Sequence, residues 1–323
     1  KGSQALQDDV TPTYEFVDLS HCEDPKQAIM EWQEQWMERE FDFKNAPPVR
    51  FALLKEHDRR HYLVIQAMHT IMDGWSLSLT PQKLGDCYNR LMTKTVNSLV
   101  PQADYLDFIE ASNEYLQSNT YKKDHEYWIH AFSKLPEPLF TERYGNIEKK
   151  ATELPKAYIA KHHIDETLRV EITTFCRDNK ATAFQVYLAV LSIYIFKSQN
   201  VSEVVIGVPS LNRGGNKYKN TLGMFVAVLP LTIYHNDGQS FNELVADIGR
   251  SLKKSYRHAK YPLSDHAKRL EVVRRGRDRL FDIIFSYEEF EFSSQFGDAV
   301  LSETKQTFNP YSRYPLAISL CDF

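Results

Sequence analysis

The chain has 323 residues, 42% of them apolar and 25% charged, with a formal net charge of -4. This length exceeds the size at which a single hydrophobic core usually stops growing, so two lobes are predicted. The ordinary apolar content excludes a disordered chain, and the slightly acidic balance argues against a nucleic-acid partner. No apolar run is long enough to span a bilayer, so no membrane partner is expected.

Cysteine and histidine spacing gives no sign of a metal site. The four cysteines lie far apart and form no C-x-x-C pair, which predicts neither a disulfide framework nor a zinc site. The adjacent His162 and His163 fit no zinc pattern either. We therefore expect reduced thiols, no bound metal and a cytoplasmic protein.

The first predicted elements are a helix and a hairpin. Residues 24–41 carry Pro25 near the first turn and apolar side chains at helical spacing, which predicts a helix. Apolar segments follow at 49–57 and 60–69, and the short polar link between them indicates an antiparallel hairpin. The second strand is apolar on both faces, which is typical of the interior of a sheet.

A change of period after this hairpin predicts a helix over 75–91, bent or interrupted by Pro81 and Gly85. Two more helices follow it. The segment around 146–156 has mixed charge and no periodicity, which is typical of a linker. The predicted division is a first lobe over 1–145, a linker over 146–156 and a second lobe over 157–323.

The second half also mixes strands and helices. Ser240 is a good N-cap with Glu243 in the capping-box position, so a helix is predicted to begin there. Strands are predicted at 157–164, 203–209, 223–234, 279–292 and 314–323, and further helices at 165–179 and 183–196. Each half thus combines a mixed sheet with helices, which predicts an α/β fold of two lobes.

The candidate functional site lies in QAMHTIMDGWS, residues 66–76. Alternation along the predicted strand puts His69 on an apolar face, where desolvation keeps an imidazole neutral, as a general base requires. Asp73 follows in a turn that can aim its carboxylate back into the protein, where it needs a cationic partner. Gly74 permits close backbone approach, and the N–H groups of the next helix could stabilise an oxyanion. On these residues alone, a structural histidine before a turn remains the alternative.

The stretch MHTIMDGWS resembles the HHxxxDG active-site motif of nonribosomal peptide synthetase condensation domains, which belong to the chloramphenicol acetyltransferase-like superfamily. Further stretches are similar to segments of that family, in the same chain order. They are Tyr105–Trp128, similar to its Y-x-D-F segment, Leu222–Leu231, similar to its I-G-x-F-V-N-T-x-P segment, and 260–266 with 277–288, similar to its Y-P-F-E and R-x-P-L-F stretches. Together they cover nearly the whole chain.

The resemblance implies a pseudodimer of two acetyltransferase-like lobes that joins a donor acyl or peptidyl thioester to the amine of an acceptor aminoacyl thioester. The catalytic second histidine of the motif maps onto His69, which either takes a proton from the amine or only orients it. The motif aspartate maps onto Asp73, which implies a structural salt bridge to Arg213 in GVPSLNR. Gly74 maps onto the motif glycine, whose backbone lies at the reaction centre.

This sequence departs from the family pattern at several positions. Met68 stands where the family has its first histidine, and we expect it to pack on the opposite strand face from His69. Ala227-Val228 replaces the family's Asn-Thr, which removes polar contacts that this segment could make to a pantetheine arm. After the motif glycine, Trp75 and Ser76 favour a condensation domain over an epimerisation domain. The family's first segment and its last strand and helix have no counterpart, so we expect a domain without its two ends.

The resemblance also implies partners. Both substrates would arrive on the phosphopantetheine arms of donor and acceptor peptidyl carrier proteins, next to an adenylation domain, and the domain itself would hold no cofactor. We expect a monomeric domain within a multidomain synthetase. Two alternatives stay open, a stand-alone acyltransferase that uses coenzyme A and a catalytically silent docking module of the same fold.

Overall fold

The computed structural model describes residues 10–43, 46–95, 103–140, 156–272, 279–288, 295–305, 311–312 and 314–321. Its backbone divides into two compact units, a first of 1–84 with 221–224 and a second of 85–220 with 225–323. The predicted linker over 146–156 lies outside the described residues, apart from Lys156. The lobe boundary at that linker therefore stays a prediction.

The first unit contains a three-stranded sheet with one helix packed on it. Strands β1 (Thr13–Asp18), β2 (Val49–His57) and β3 (Arg60–Ala67) lie in that order, with β1 parallel and β3 antiparallel to β2. Helix α1 (Pro25–Glu38) begins where the Asp24 carboxylate accepts the N–H of Gln27 at 3.1 Å. A small buried core joins helix and sheet, formed by Ile29, Trp36, Ala52 and Leu54.

The predicted hairpin of β2 and β3 is confirmed, but β3 ends at Ala67 and is two residues shorter than predicted. The Met68 N–H donates to the Pro48 carbonyl at 2.9 Å. Because Pro48 has no N–H to return a bond, the ladder stops there. Helix α2 (Gly74–Met92) begins six residues further on and is not interrupted at Pro81.

The second unit contains a four-stranded sheet. Strand β4 (Glu203–Ser210) pairs antiparallel with β5 (Ala227–Tyr234) and parallel with β6 (Ile283–Glu288). A short ribbon of β7 (Gln295–Phe296) and β8 (Ala299–Val300) follows in the chain. Strand β9 (Leu316–Cys321) then pairs parallel with β6, so the sheet order is β5-β4-β6-β9.

Six helices of the second unit lie within the described residues. They are α3 (Tyr105–Leu116), α4 (Asn119–Ala131), α5 (Glu166–Asn179), α6 (Ala183–Gln199), α7 (Phe241–Arg257) and α8 (Leu263–Arg269). The capping box at α7 is confirmed, because the Ser240 hydroxyl accepts the Glu243 N–H and the Glu243 carboxylate accepts the Ser240 N–H. The buried faces of α6 and α7 contribute to the core beside β4 and β5.

Close packing explains a glycine in the middle of β4. A Cβ on Gly207 would come within 2.2 Å of the Phe281 ring, so that ring occupies the space where a side chain would stand. Phe281 is itself buried and stacks on Tyr314 at 5.5 Å. Gly207 therefore lets an aromatic ring pack directly on the sheet.

Helices α3 and α4 belong by their contacts to the second unit, although the predicted boundary assigns them to the first lobe. Trp128 and Phe132 of α4 are buried in the core of the second unit. The Trp128 indole N–H also donates to the carbonyl of His258 at 2.9 Å. Apolar burial of two large aromatic side chains decides this association.

Two strand predictions differ from the structure. Residues 157–164 form no strand, and Tyr158 there is 93% exposed. The nearest β-type pairing is an isolated bridge between Lys156, just before this range, and Tyr311. The strand predicted to begin at Gly223 begins at Ala227, because the backbone of Gly223 bonds to Ser76 and Asp73 instead of to a neighbouring strand.

Among the described helices, none is by itself both long and apolar enough to cross a membrane. Helices α5 and α6 together meet that test by length and composition, with a bend of 105° between them.

Candidate active site

His69 lies in the turn between β3 and α2 and is exposed. The prediction that it ends a buried strand among apolar neighbours is therefore wrong, because the ladder stops at Ala67. The turn itself is closed by the N–H groups of Ile71 and Met72, which donate to the Met68 carbonyl at 3.0 and 3.4 Å. An accessible imidazole thus stands on a hydrogen-bonded turn.

Asp73 is fully buried and caps helix α2. Its Oδ1 accepts the N–H of Ser76 at 2.8 Å, and its carbonyl accepts the N–H of Leu77 at 3.0 Å. A side-chain bond from the residue before a helix to its third N–H is the geometry of an N-cap. The carboxylate does point back into the protein, and the Ser76 N–H is used by this cap rather than offered to an oxyanion.

Ser76, which the sequence indicated only as a neighbour of the motif, bonds the start of α2 to a distant segment of the chain. Its buried hydroxyl donates to the Gly223 carbonyl at 2.7 Å and accepts the Gly223 N–H at 3.0 Å. The Asp73 N–H donates to the same carbonyl at 3.3 Å. Segment 221–224, which overlaps the start of the stretch similar to the family's I-G-x-F segment, is thereby bonded to the start of α2 within the first unit. The only sequence signal was a small hydroxyl residue in the first turn of a helix.

The remaining motif residues precede Ser76 in the chain. Gly74 is the first residue of α2, and both Gly74 and Trp75 are half-buried. Met68 follows the last residue of β3, is half-buried, and is less exposed than His69. The packing role predicted for Met68 stays a prediction.

Arg213 lies in the second unit, on the loop after β4. Asn212 before it adopts a left-handed conformation, with φ 49°, which asparagine tolerates better than most residues. Arg213 is 5% exposed, and its Nη1 donates to the Tyr218 carbonyl at 2.9 Å. Its guanidinium lies over the ring of Phe225, 4.2 Å from the centroid.

Aromatic rings hold Phe225 in turn. Its neighbours are Tyr105, Phe108 and Tyr218, with centroid distances between 4.5 and 5.6 Å. The guanidinium of Arg213 is thus fixed by one backbone carbonyl and a packed aromatic group. Its salt bridge with Asp73 stays a prediction.

Within the described ranges, no group of three or more His, Cys, Asp or Glu residues could hold a metal ion. His162 and His163 are both exposed.

Several solved structures with the same fold are condensation domains. The first condensation domain of the calcium-dependent antibiotic synthetase, in complex with a substrate analogue, superposes with a TM-score of 0.76 at 19% identity, over 90% of this chain and 64% of that one. The starter condensation domain of rhizomide synthetase gives a TM-score of 0.68 at 20% identity, over 90% of this chain and 64% of that one. The predicted α/β fold class is confirmed.

The family model described as Condensation domain matches residues 2–322, so this chain belongs to the condensation domain family. Similar curated proteins include surfactin synthase subunit 1 of Bacillus subtilis (strain 168), 26% identical over 295 residues. Bacitracin synthase 3 of Bacillus licheniformis is 25% identical over 283 residues. These matches cover 90% and 87% of this chain but only 8% and 4% of the two synthases, so the chain spans a small part of their length.

Proposed function

We propose that this chain forms an amide bond between a donor acyl or peptidyl thioester and the amine of an acceptor aminoacyl thioester. The amine nitrogen attacks the thioester carbonyl, the C–N bond forms, the C–S bond breaks, and a thiol leaves with the proton that the amine gives up. Membership of the condensation domain family supports this class of reaction. The observation that carries it is the exposed imidazole of His69 on a turn fixed by Asp73 and Ser76.

His69 is the proposed catalytic residue. An exposed imidazole on a fixed turn can accept a hydrogen bond from an incoming amine without moving the backbone, and held geometry is a large part of enzymatic rate enhancement. Gly74, the first residue of α2, has no side chain to keep a substrate carbonyl from its backbone.

Asp73 and Arg213 are proposed as positioning residues. Asp73 supports His69 by capping α2, and we propose that its carboxylate also pairs with the guanidinium of Arg213. The fixed setting of Arg213, on the Tyr218 carbonyl and the Phe225 ring, supports this pairing, because a guanidinium held in advance loses little freedom when it binds a carboxylate. A buried carboxylate also requires such a partner.

The proposed partners are two peptidyl carrier proteins, one for each substrate, and an adenylation domain that supplies an amino acid. The similar proteins named above are synthases much longer than this chain, which supports a place in a multidomain assembly. The phosphopantetheine arms belong to the carriers, so they are part of the substrates rather than a cofactor of this chain.

The test measures the amide product from separately loaded donor and acceptor carriers by mass spectrometry. The His69→Ala variant should lose about 100-fold or more in rate, the range of general acid–base catalysis. His61→Ala is the matched control, because His61 is an exposed histidine of the same unit, on β3. Equal yields from His69→Ala and the intact chain would favour a docking module, and turnover only with acyl coenzyme A would overturn the use of carriers.

A further inference from the structure

A groove of about 800 Å³ opens in the second unit, and none of its lining residues belongs to the motif that carries His69. It is lined by the first turn of α6, the C-terminal half of α7 and Tyr287 of β6. The volume falls within the range of roughly 300 to 1,000 Å³ that is usual for small-molecule sites. The amide-forming reaction proposed above makes no use of this groove.

Two cations of α7 line the groove without a counter-charge. Lys253 and Arg257 are one helical turn apart, both are exposed, and neither makes an ion pair or hydrogen bond with any described residue. By contrast, Arg250, one turn earlier on the same helix, pairs with Asp247. No acidic residue lines the groove within the part of the chain that the structure describes. Like charges at this spacing repel each other, so an anion bound between them would relieve that repulsion.

The walls beside these cations are aromatic and held in place. Phe184, in the first turn of α6, stacks on Phe285 at 5.5 Å. Tyr287 lies against Tyr187 at 6.1 Å, and Tyr256 stands between the two cations in the sequence of α7. Rings that are already packed offer faces for a flat ligand at little cost in conformational entropy.

Gly249 lets the Gln185 side chain of α6 pack closely on α7 beside the groove. A Cβ at Gly249 would come within 2.8 Å of the Gln185 side-chain nitrogen, and Gln185 is held because its side-chain oxygen accepts the Thr182 N–H at 3.0 Å. A glycine inside a helix is less favourable than alanine, so a specific close approach explains it here. The capping box also occupies the Thr182 and Gln185 N–H groups, so the two cations, and not the helix end, supply the charge for an anion.

We propose that this groove binds an organic phosphate that carries an aromatic ring. The guanidinium of Arg257 is suited to bidentate contact with a phosphate, and Lys253 adds a second positive charge one turn away. The ring of the ligand would lie against Tyr256, Tyr287 or Phe184. This site is separate from the amide-forming reaction and adds a second binding function to the same chain.

Adenosine diphosphate is the probe, because it combines two phosphates with a flat ring. Isothermal titration at low salt should give saturable binding to the intact chain. The double variant Lys253→Gln with Arg257→Gln should bind about tenfold more weakly or worse, since two charge-assisted contacts are lost. Lys197→Gln is the matched control, because Lys197 is an exposed cation of α6 outside the groove, and it should leave the affinity unchanged.

Two further ligands separate the parts of the proposed site. Adenosine and inorganic pyrophosphate should each bind more weakly than adenosine diphosphate. Adenosine keeps only the ring contact with the aromatic side chains, and pyrophosphate keeps only the phosphate contact with Lys253 and Arg257. No saturable binding of adenosine diphosphate, an unchanged affinity of the double variant, or equal binding of pyrophosphate would each overturn the proposal. His69→Ala should bind the probe as the intact chain does, so failure of the amide-forming reaction and failure of this site are distinguishable.

Discussion

The turn that carries His69 and the loop that carries Arg213 hold their side chains by different means. Around His69 the backbone is fastened, through the Asp73 cap and the bonds between Ser76 and Gly223, while the imidazole itself stays exposed. At Arg213 the side chain itself is fastened, on a carbonyl and an aromatic ring, and is buried. An exposed group on a fixed backbone suits contact with substrate, whereas a buried, fixed cation suits positioning.

Asp73 should show the largest effect, because it is proposed to serve both regions. Asp73→Ala loses the cap and the proposed ion pair, and we expect it to lower the free energy of unfolding by about 3 kcal/mol and to abolish amide formation. Asp73→Asn is the sharper variant, since asparagine caps a helix as well as aspartate but carries no charge. Urea unfolding and product yield would be measured together.

The outcome for Asp73→Asn decides between the two roles. A lowered free energy of unfolding together with a lost activity supports the charge pairing with Arg213, because the cap is kept and only the buried guanidinium loses its counter-charge. Full activity in Asp73→Asn would show that the cap alone matters and would remove Arg213 from the proposed site.

Ser76→Ala should weaken the first region through its backbone. The buried N–H of Gly223 loses its partner, and its carbonyl keeps the longer bond from the Asp73 N–H, so we expect a loss of about 2 kcal/mol in the free energy of unfolding. Ser78→Ala is the control, because the Ser78 hydroxyl only donates within α2, to the Trp75 carbonyl at 2.9 Å. If both variants unfold at the same urea concentration, the bonds between Ser76 and Gly223 contribute no more to stability than the Ser78 bond within α2.

Phe225→Leu tests the second region by removing the ring under the guanidinium while keeping an apolar side chain. We expect the free energy of unfolding to fall by about 1 kcal/mol, the usual scale of a partly desolvated cation–π contact. Amide formation should fall less than in Asp73→Ala. Phe108→Leu is the matched control, since Phe108 packs on Phe225 at 4.5 Å without lying under Arg213. A larger fall in the free energy of unfolding for Phe108→Leu than for Phe225→Leu would mean that aromatic packing, and not the contact with the guanidinium, dominates around Arg213.

Met68→His should have the smallest effect. It restores the histidine that the family has at this position, but Met68 is half-buried and contributes its backbone, not its side chain, to the bonds of the turn. We expect kcat/KM to stay within about threefold of the original, as for most substitutions away from a buried contact. A tenfold rise would assign the first histidine a chemical role.

The sequence predicted the helices and most strands because their signals are local. The capping box of α7 and the alternation of β2 and β3 depend on neighbouring residues only, and both are confirmed. The end of β3 could not be predicted in this way, since Met68, Ile71 and Met72 continue an apolar pattern through the turn. Pro48, which immediately precedes the partner strand β2, decided that boundary.

The sequence by itself determined the α/β class, the family and the candidate residues His69, Asp73 and Gly74, because motif order and residue spacing are properties of the chain. Only the tertiary structure decided that His69 is exposed, that Asp73 caps α2, and that Ser76 holds Gly223. Ser76 and Gly223 are 147 residues apart, and no local pattern specifies which buried polar groups will satisfy one another across such a distance. That pairing follows from the requirement that buried donors and acceptors find partners once the chain has folded.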